Sequence, residues 1–215
     1  MIFIACSGFP VPVSRYFETF NRPDVHLVDI RRTPIERATP RGLVVGDREV
    51  PLDCIVLATG FDAMTGALLA IEIRGRGGLS LAEKWRNGPR TYLGLTVQGF
   101  PNLFTITGPG SPSVLTNMIA AIEQHVDWIA ACMDTMREQG HRTIEATPEA
   151  EDAWVARVNA VADATLYPTC NSWYVGANVP GKPRMFMVYP GLPAYEETCN
   201  EIARRGYEGF ELSRD

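Results

Sequence analysis

The stretch Leu103-Phe-Thr-Ile-Thr-Gly-Pro-Gly-Ser-Pro112 decides the fold, because it predicts a strand, a turn and a helix start in succession. Its apolar run favours a buried strand, and Gly108-Pro-Gly110 favours a tight turn. Ser111 and Pro112 suit the N-cap and the first position of a helix that ends at Gly140. The expected buried face of this helix is Leu115, Met118, Ile119, Ile122, Val126, Ile129, Met133 and Met136. The order strand, turn, helix indicates an α/β fold.

The segment before this stretch predicts the end of an α/β unit. Residues 25–30 form a short strand-like run. Residues 42–45 and 49–52 flank Gly46-Asp47, which predicts a hairpin because glycine tolerates a positive φ. Residues 54–60 are a continuous apolar run closed by glycine, which suits a strand buried on both faces of a parallel sheet.

Two further helices and one long loop follow. Thr147-Pro148 predicts the start of a helix with Trp154, Val155, Val158, Val161 and Leu166 on its apolar face. A second helix is expected from Pro193 to Gly206, with Tyr195, Cys199, Ile202 and Ala203 on its apolar face. Residues 167–191 are rich in glycine and proline, and long loops of this kind are often functional.

Composition excludes several classes of function. The 215 residues are 46% hydrophobic and 21% charged with a net charge of −5, so no attraction to nucleic acid or an anionic membrane is expected. No apolar run is long enough to cross a bilayer. Residues 1–6 lack the basic segment and apolar length of a secretory leader. Five dispersed cysteines indicate reduced thiols and a cytoplasmic protein, and three scattered histidines predict no metal site.

The turn at Gly108–Ser111 is the first candidate binding element. A helix that begins there would point its positive pole and free N–H groups at an anion or an electron-rich carbonyl, such as the pyrimidine edge of a flavin. The alternative is a turn that only packs. The glycine cluster at residues 75–78 could contact phosphate, but a plain turn is favoured because no strand leads into it.

The long loop is the second candidate. Trp173 and Tyr174 could cover a ligand while Lys182 and Arg184 hold a phosphate. Alternatively, the aromatic rings anchor the loop on the core, and this interpretation is favoured. A catalytic role for His125 is not expected, because most histidines on an apolar helix are structural.

Five ordered segments resemble class B flavoprotein monooxygenases, and in particular Baeyer–Villiger monooxygenases similar to phenylacetone and cyclohexanone monooxygenase. The first is Ala58-Thr-Gly-Phe-Asp62, which resembles the return from the NADP domain to the FAD domain. The others are Tyr16-Phe-Glu-Thr-Phe-Asn-Arg22, Gly88-Pro-Arg-Thr-Tyr-Leu-Gly94, Gly108-Pro-Gly-Ser-Pro-Ser-Val-Leu-Thr-Asn-Met118 and Ser172-Trp-Tyr-Val-Gly-Ala-Asn-Val-Pro-Gly-Lys182, with Gly206-Tyr-Glu-Gly-Phe210 in support.

The resemblance implies an incomplete α/β flavoprotein, namely the C-terminal portion of a fold with two Rossmann-like dinucleotide-binding domains for FAD and NADP. Residues 1–60 would be the tail of the NADP-binding domain, with 1–12 atypical. Residues 61–215 would be the C-terminal part of the FAD-binding domain, including the mobile loop 167–191. The intact family uses FAD and NADPH to convert a small ketone and O2 into an ester or lactone.

The resemblance also implies site residues. Cofactor-binding positions would be Thr59, Gly60, Phe61, Asp62, Gly108, Gly110, Ser111, Asn117, Met118, Trp173 and Lys182. The substrate pocket would be walled by Ser113, Val114, Leu115, Met118 and Trp173.

Several family features have no counterpart here. The sequence contains no G-x-G-x-x-G turn and no F-x-G-x-x-x-H-x-x-x-W fingerprint, and the position of the family's catalytic arginine is Phe9. No catalytic residue is therefore assigned, and the chain is expected to be inactive alone. It could instead be half of a split enzyme with an N-terminal partner chain, or self-associate through exposed core surfaces. A flavin monooxygenase that hydroxylates nitrogen or sulfur is the third alternative.

Overall fold

The computed structural model describes residues 2–3, 15–30, 32–57, 61–112, 116–166, 169, 173–177, 179–185, 187–189 and 191–214. The chain divides into two compact units, Met1–Phe61 and Asp62–Asp215. The mixed α/β class expected from the sequence is confirmed. The assignment of the two parts to NADP-binding and FAD-binding domains stays a prediction.

The described part of the first unit contains two small sheets and one short helix. Its elements are β1 (Ile2–Phe3), α1 (Tyr16–Thr19), β2 (His26–Leu27), β3 (Ile35–Thr39), β4 (Gly42–Val45) and β5 (Arg48–Pro51). Strands β1 and β2 pair in parallel, whereas β3, β4 and β5 form an antiparallel meander. The predicted hairpin is confirmed, with Gly46 at a φ of 55°. The strand expected over residues 25–30 is shorter than predicted, because only His26–Leu27 pairs.

The strand predicted over residues 54–60 is wrong for the part that the structure describes. Residues 54–57 have no regular structure, and Val56 and Leu57 are 82% and 83% exposed. Residues 58–60 lie outside the described part of the chain. An apolar run becomes a strand only when neighbouring strands pair with its N–H and C=O groups. Within the described residues, no backbone hydrogen bond joins residues 54–57 to another strand.

The second unit is mainly helical. Its elements are α2 (Gly66–Leu69), α3 (Leu81–Lys84), α4 (Met118–Gln139), β6 (Thr143–Ala146), α5 (Pro148–Asp163), α6 (Leu192–Arg204) and β7 (Phe210–Ser213). Strands β6 and β7 pair antiparallel from Thr143 opposite Ser213 to Ala146 opposite Phe210. Among the described residues, 3₁₀ turns lie at Arg76–Gly78 and Trp173–Val175. The first lies within the glycine cluster at residues 75–78, for which a turn was favoured.

Aromatic side chains from α4, α5 and α6 form the main core of this unit. The Trp154 ring stacks on Tyr189 at 5.3 Å and meets Tyr195 edge-on at 6.0 Å. Trp128 donates its indole N–H to the Cys199 carbonyl at 2.9 Å. A smaller core cluster consists of Leu81, Trp85, Val97 and Phe100. Among the described residues, no helix is long and apolar enough to cross a membrane.

The predictions for α5 and α6 hold at both helices. Thr147 caps α5 by accepting the Ala150 N–H at 3.2 Å, and Trp154 and Val158 are buried. Leu166 instead lies beyond the end of α5 and is 81% exposed. In α6, Tyr195, Cys199 and Ile202 are buried as expected.

The start and buried face of α4 differ from the prediction. The helix begins at Met118 with Asn117 as its N-cap, not with Ser111. The buried residues are Ala121, His125, Trp128, Cys132 and Met136. The predicted stripe was wrong at Ile119, Val126 and Met133, which are 62%, 48% and 56% exposed. Met136 is buried as predicted, and Leu115 lies outside the described residues. Gly140 ends the helix as predicted, with a φ of 72°.

The strand predicted over Leu103–Thr107 is also wrong, because these residues are irregular. Their polar groups bond to a neighbouring turn and not to a ladder: Thr105 donates its N–H to the Leu95 carbonyl at 2.8 Å and its hydroxyl to the Gly94 carbonyl at 2.9 Å. Ile106 is 41% exposed. The run is therefore held by hydrogen bonds to a turn and by packing of Leu103 and Phe104 on the core, and not by pairing with a strand.

Candidate functional site

The turn at Gly108–Ser111 is held by hydrogen bonds to all four of its carbonyl groups. The Gly108 carbonyl accepts the Ser111 hydroxyl at 2.8 Å, and the Pro109 carbonyl accepts the Thr91 hydroxyl at 2.6 Å. The Gly110 carbonyl accepts the Trp154 indole N–H at 3.1 Å, and the Ser111 carbonyl accepts the Tyr189 N–H at 3.0 Å. Donors from distant parts of the chain therefore fix the backbone of this turn.

Two N–H groups of the turn are also engaged within the protein. Gly110 donates to the Met187 carbonyl at 2.8 Å, and Ser111 donates to the Gly108 carbonyl at 3.1 Å. The expectation that Ser111 starts a helix and offers free N–H groups to an anion is therefore wrong. The buried Ser111 forms a parallel bridge with Val188, so tertiary contacts take the groups that a helix N-cap would use.

Glycine is required here for close backbone packing. A Cβ on Gly94 would lie 2.5 Å from the Ser111 nitrogen, and Gly94 has a φ of 69°. A Cβ on Gly108 would lie 2.4 Å from the Gly94 carbonyl oxygen. The two loops at residues 92–96 and 108–111 therefore lie in direct backbone contact.

His125 supports the residue just before this turn. Its Nδ1 accepts the Thr107 N–H at 3.1 Å, and its side chain is fully buried. Burial lowers the pKa of His125 to about 4, so the imidazole is neutral and able to accept at neutral pH. Thr107 has a φ of 52°, an unusual conformation for a residue with a branched side chain. No local pattern in the sequence indicates this supporting contact.

The amino terminus of α4 supplies a positive pole, six residues later than predicted. Asn117 Oδ1 accepts the Ile119 N–H at 3.0 Å, and Met118 is the first helical residue. The helix has 22 residues, enough to align many peptide dipoles. Asn117 and Met118, both predicted to contact a cofactor, therefore lie side by side at this pole.

The described part of the loop 167–191 packs on the core through its aromatic residues. Trp173 stacks on Tyr174 with ring centroids 4.2 Å apart, and Tyr174 is buried. The Tyr174 carbonyl accepts the Met187 N–H at 3.1 Å. These contacts agree with the favoured interpretation, in which the aromatic rings anchor the loop.

Lys182 is paired within the chain. Its Nζ contacts Asp62 Oδ1 at 2.5 Å and the Ala63 carbonyl at 2.8 Å, and its side chain is 10% exposed. The structure thus brings together two predicted cofactor-binding residues, Asp62 and Lys182. The Asp62 carboxylate compensates the charge that was expected to hold a phosphate, whereas Arg184 is exposed.

Two buried carboxylates that the sequence analysis missed hold the backbone at residues 98–99. Glu151 accepts the Gln98 N–H at 2.9 Å and contacts Lys84 Nζ at 2.8 Å. Glu145 accepts the Gly99 N–H at 2.8 Å and contacts Arg76 Nε at 2.6 Å. Glu151 lies in α5 and Glu145 in the short strand β6, and the residues around them in the sequence do not indicate that either carboxylate is buried.

The remaining predicted site residues divide into two groups. Phe61 is 87% exposed. Thr59, Gly60, Ser113, Val114, Leu115 and Phe9 lie outside the described residues. The described part of the chain contains no cluster of three or more metal-ligating side chains.

The chain is similar to several known proteins. No protein-family model matches the chain. It is 45% identical over 203 residues to acetone monooxygenase (methyl acetate-forming) of Gordonia sp. (strain TY-5), covering 93% of this chain and 38% of the relative. It is 40% identical over 200 residues to a Baeyer–Villiger monooxygenase of Pseudooceanicola batsensis, covering 92% of this chain and 36% of the relative. The chain is homologous to the C-terminal part of Baeyer–Villiger monooxygenases. The family resemblance inferred from the motifs is confirmed.

One further relative of the chain is named for a different activity. Phenazine N-monooxygenase PhzNO1 of Lysobacter antibioticus is 39% identical over 208 residues, covering 96% of this chain and 38% of the relative. The chain thus spans between a third and two fifths of the length of each of these relatives.

Solved structures similar to this chain share its fold. An oxidised steroid monooxygenase bound to NADP matches at 49% identity with a TM-score of 0.82, covering 94% of this chain and 38% of that one. The enzyme OTEMO in complex with FAD and NADP matches at 40% identity with a TM-score of 0.85, covering 93% and 37%. The cofactors expected for the intact family, FAD and NADP, are those bound in these relatives.

Proposed function

We propose that this chain forms the C-terminal part of a FAD- and NADPH-dependent Baeyer–Villiger monooxygenase that converts a small ketone and O2 into an ester or lactone. The observation that carries the proposal is the 45% identity with acetone monooxygenase through 93% of the chain. We also propose a cytoplasmic setting, supported by the free cysteines Cys54, Cys132 and Cys199.

The described residues fit one part of FAD. The pole at Asn117 and Met118 suits an electron-rich carbonyl at the pyrimidine edge of the flavin, where reduction builds negative charge. Of the two cations predicted to hold a phosphate, Lys182 is paired with Asp62, whereas Arg184 is exposed. When bound, FAD reduced by NADPH would supply the electrons that activate O2.

The chain's own residues would form one wall of the site. The turn at Gly108–Ser111, with its carbonyls fixed, would hold the cofactor's ring system at one position. Trp173 would help to cover the cofactor and substrate and to exclude water. The substrate wall would come from Ser113, Val114, Leu115 and Met118.

The chain would need an N-terminal partner to be active. Neither phosphate-binding glycine turn of the family is present in its sequence, and the position of the family's arginine is Phe9. That arginine would stabilise negative charge beside the reduced cofactor, which is a large contribution to catalysis. We therefore propose that these residues are inactive without the N-terminal part of such an enzyme. In the alternative, a split enzyme, a partner chain would supply that part.

N-hydroxylation is the second candidate function. The relative named phenazine N-monooxygenase is 39% identical over 96% of this chain, close to the identity of the ketone-named relatives. The relatives that share this part of the chain are therefore named for two kinds of reaction. One is named for the oxidation of a ketone, and the other for the oxidation of a ring nitrogen.

The test combines the purified chain with the N-terminal part of the Gordonia acetone monooxygenase, the residues that precede the matched region. We expect the mixture to bind flavin and to oxidise NADPH with acetone, giving methyl acetate detected by gas chromatography. Phenazine as the substrate, with N-oxide as the product, would favour the second candidate. The chain alone should bind no flavin, and ketone-dependent NADPH oxidation by the chain alone would overturn the requirement for a partner.

A further inference from the structure

The turn at Gly108–Ser111 has the geometry of a type II β-turn. Ser111 donates its N–H to the Gly108 carbonyl at 3.1 Å, which closes the four-residue turn. Gly110, the third residue, has a φ of 86°, as a type II turn requires at that position. Pro109 at the second position suits a type I turn equally well, and glycine accepts either sign of φ. The local sequence therefore does not select between the two types.

The two turn types differ in the orientation of the central peptide, which here joins Pro109 to Gly110. From type I to type II, ψ of the second residue changes from about −30° to about 120°, and φ of the third from about −90° to about 80°. The Pro109 carbonyl and the Gly110 N–H thereby exchange sides. The groups that bind this carbonyl and this N–H therefore decide which type the turn adopts.

Partners from two other segments hold the central peptide at both of its ends. Thr91 donates its hydroxyl to the Pro109 carbonyl at 2.6 Å, and Gly110 donates its N–H to the Met187 carbonyl at 2.8 Å. Thr91 is 2% exposed and Met187 is 1% exposed, so both bonds are shielded from water. In a type I turn the Pro109 carbonyl would point away from Thr91 and leave a buried hydroxyl without its acceptor, which is costly. Thr91 and Met187 therefore both stabilise the type II form.

The backbone on both sides of Thr91 is fixed by contacts of its own. Trp85 donates its indole N–H to the Arg90 carbonyl at 2.9 Å, and Tyr92 donates its hydroxyl to the Glu208 carbonyl at 2.9 Å. Neither contact involves the turn. The Thr91 hydroxyl is therefore directed at the turn by packing elsewhere in the fold, as expected of a side chain that orients a functional element.

We propose that Thr91 is a positioning residue for the bound flavin. Its hydroxyl keeps the turn at Gly108–Ser111 in the type II form and so fixes the peptide against which the ring system would rest. The inference rests on the proposed function, in which this turn holds the flavin. It also gives a function to residues 88–94, one of the segments that resemble the monooxygenase family. A displacement of about 1 Å at a reacting group lowers a rate on the order of a hundredfold, so the orientation of this peptide matters for turnover.

Three variants separate the hydroxyl of Thr91 from the shape of its side chain. Thr91→Val keeps the branched shape and removes the donor, whereas Thr91→Ser keeps the donor and loses one methyl group. Thr96→Val is the matched control, because Thr96 is 3% exposed and donates its hydroxyl to the Tyr92 carbonyl at 3.3 Å, within its own loop. Circular dichroism and urea unfolding test whether each variant folds. Thr91→Ala takes the place of Thr91→Val if the latter does not fold.

The first measurement is the amide hydrogen exchange of Gly110 in the full chain, followed by NMR. We expect Thr91→Val to speed this exchange at least about tenfold relative to Thr96→Val, because the central peptide is then free to turn its N–H away from Met187. Thr91→Ser should exchange within about threefold of the parent chain, because its donor is kept. Equal exchange in Thr91→Val and Thr96→Val would overturn the proposal.

The second measurement uses the complex of the full chain with the N-terminal part of the Gordonia acetone monooxygenase, supplied with FAD, NADPH and acetone. Thr91→Val should lower kcat at least about tenfold, and Thr91→Ser should keep kcat within about threefold of the parent complex. Thr96→Val should leave kcat unchanged. Equal kcat values for Thr91→Val and Thr96→Val would overturn the positioning role.

The proposed function and the positioning role fail in different ways. A complex that binds flavin and oxidises NADPH with acetone, but is indifferent to Thr91→Val, would remove the positioning role and leave the function. A complex that neither binds flavin nor oxidises NADPH would remove the function and, with it, the role of Thr91 toward flavin. Faster exchange of Gly110 in Thr91→Val would then still show that the hydroxyl sets the type of the turn.

Discussion

The indole N–H of Trp154 donates to the carbonyl of Gly110 at 3.1 Å, and both residues are buried. Trp154→Phe would keep most of the packing but leave this carbonyl without its donor. We expect a loss of about 1–3 kcal/mol in the free energy of unfolding, measured in urea. The matched control is Trp85→Phe, which removes a similar bond to the Arg90 carbonyl in the smaller core cluster. Only Trp154→Phe should speed the amide exchange of Gly110, and equal exchange in both variants would contradict the role assigned to Trp154.

His125 should make the stability of the protein depend on pH between about 4 and about 6.5. Burial lowers its pKa to about 4 in the folded state, whereas an unfolded histidine titrates near about 6.5. In that window the unfolded state binds more protons, so stability falls as the pH falls. The loss is at most about 3 kcal/mol.

The measurement is urea unfolding at pH 7 and pH 5. His125→Leu should make the free energy of unfolding differ less between pH 7 and pH 5 than it does in the parent chain. His26→Leu is the control, because His26 is exposed. If both variants keep the parent's pH dependence, His125 is not the group responsible.

Glu151 should contribute far more to the free energy of unfolding than Asp152, the next residue in the chain. It is 2% exposed and contacts Lys84 Nζ at 2.8 Å and Arg90 Nε at 3.4 Å. Glu151→Gln leaves the Lys84 ammonium, 14% exposed, without its counter-charge. We expect a loss of about 3–5 kcal/mol in the free energy of unfolding.

Asp152→Asn is the matched control for Glu151. Asp152 also pairs with Arg90, but its side chain is 70% exposed, so its removal should cost less than about 1 kcal/mol. A similar loss from both variants would show that burial is not what distinguishes the two carboxylates.

Lys182 and Asp62 should be energetically coupled. Their contact is partly exposed, since Asp62 is 46% accessible, so we expect a coupling of about 1 kcal/mol that declines with added salt. The measurement is a double-mutant cycle with Lys182→Met and Asp62→Asn in thermal or urea unfolding. Additive single effects at low salt would contradict the ion pair.

Local start signals predicted α5 and α6 well, because they act on the first turn of their own helix. Thr147 caps α5, whereas α6 has no side-chain cap and is marked by Pro193 in its first turn. Thr147 accepts the N–H of Ala150, three residues on. Ser111 and Pro112 carry an equally good local signal, but Tyr189 and Val188 contact Ser111 from across the fold. A tertiary contact of this kind overrides the local preference and leaves no mark in the nearby sequence.

The buried face of α4 was mispredicted because it lies about 100° around the helix from the stripe of isoleucine, valine and methionine that the periodicity selected. The buried face uses His125, Trp128 and Cys132 instead. In the candidate site, the sequence motifs singled out Asp62 and Lys182 but did not predict the contact between them. Such pairings, like those of Glu145 and Glu151, depend on distances across the fold that spacing along the chain does not encode.

The fixed carbonyls of the Gly108–Ser111 turn have a thermodynamic consequence. Ordering a free backbone residue loses conformational entropy worth on the order of 1–2 kcal/mol. Because donors from Thr91, Trp154 and Tyr189 already order this turn, that loss occurs during folding and not during binding. A ligand that contacts the turn meets a preorganised surface, so more of its contact energy remains as affinity.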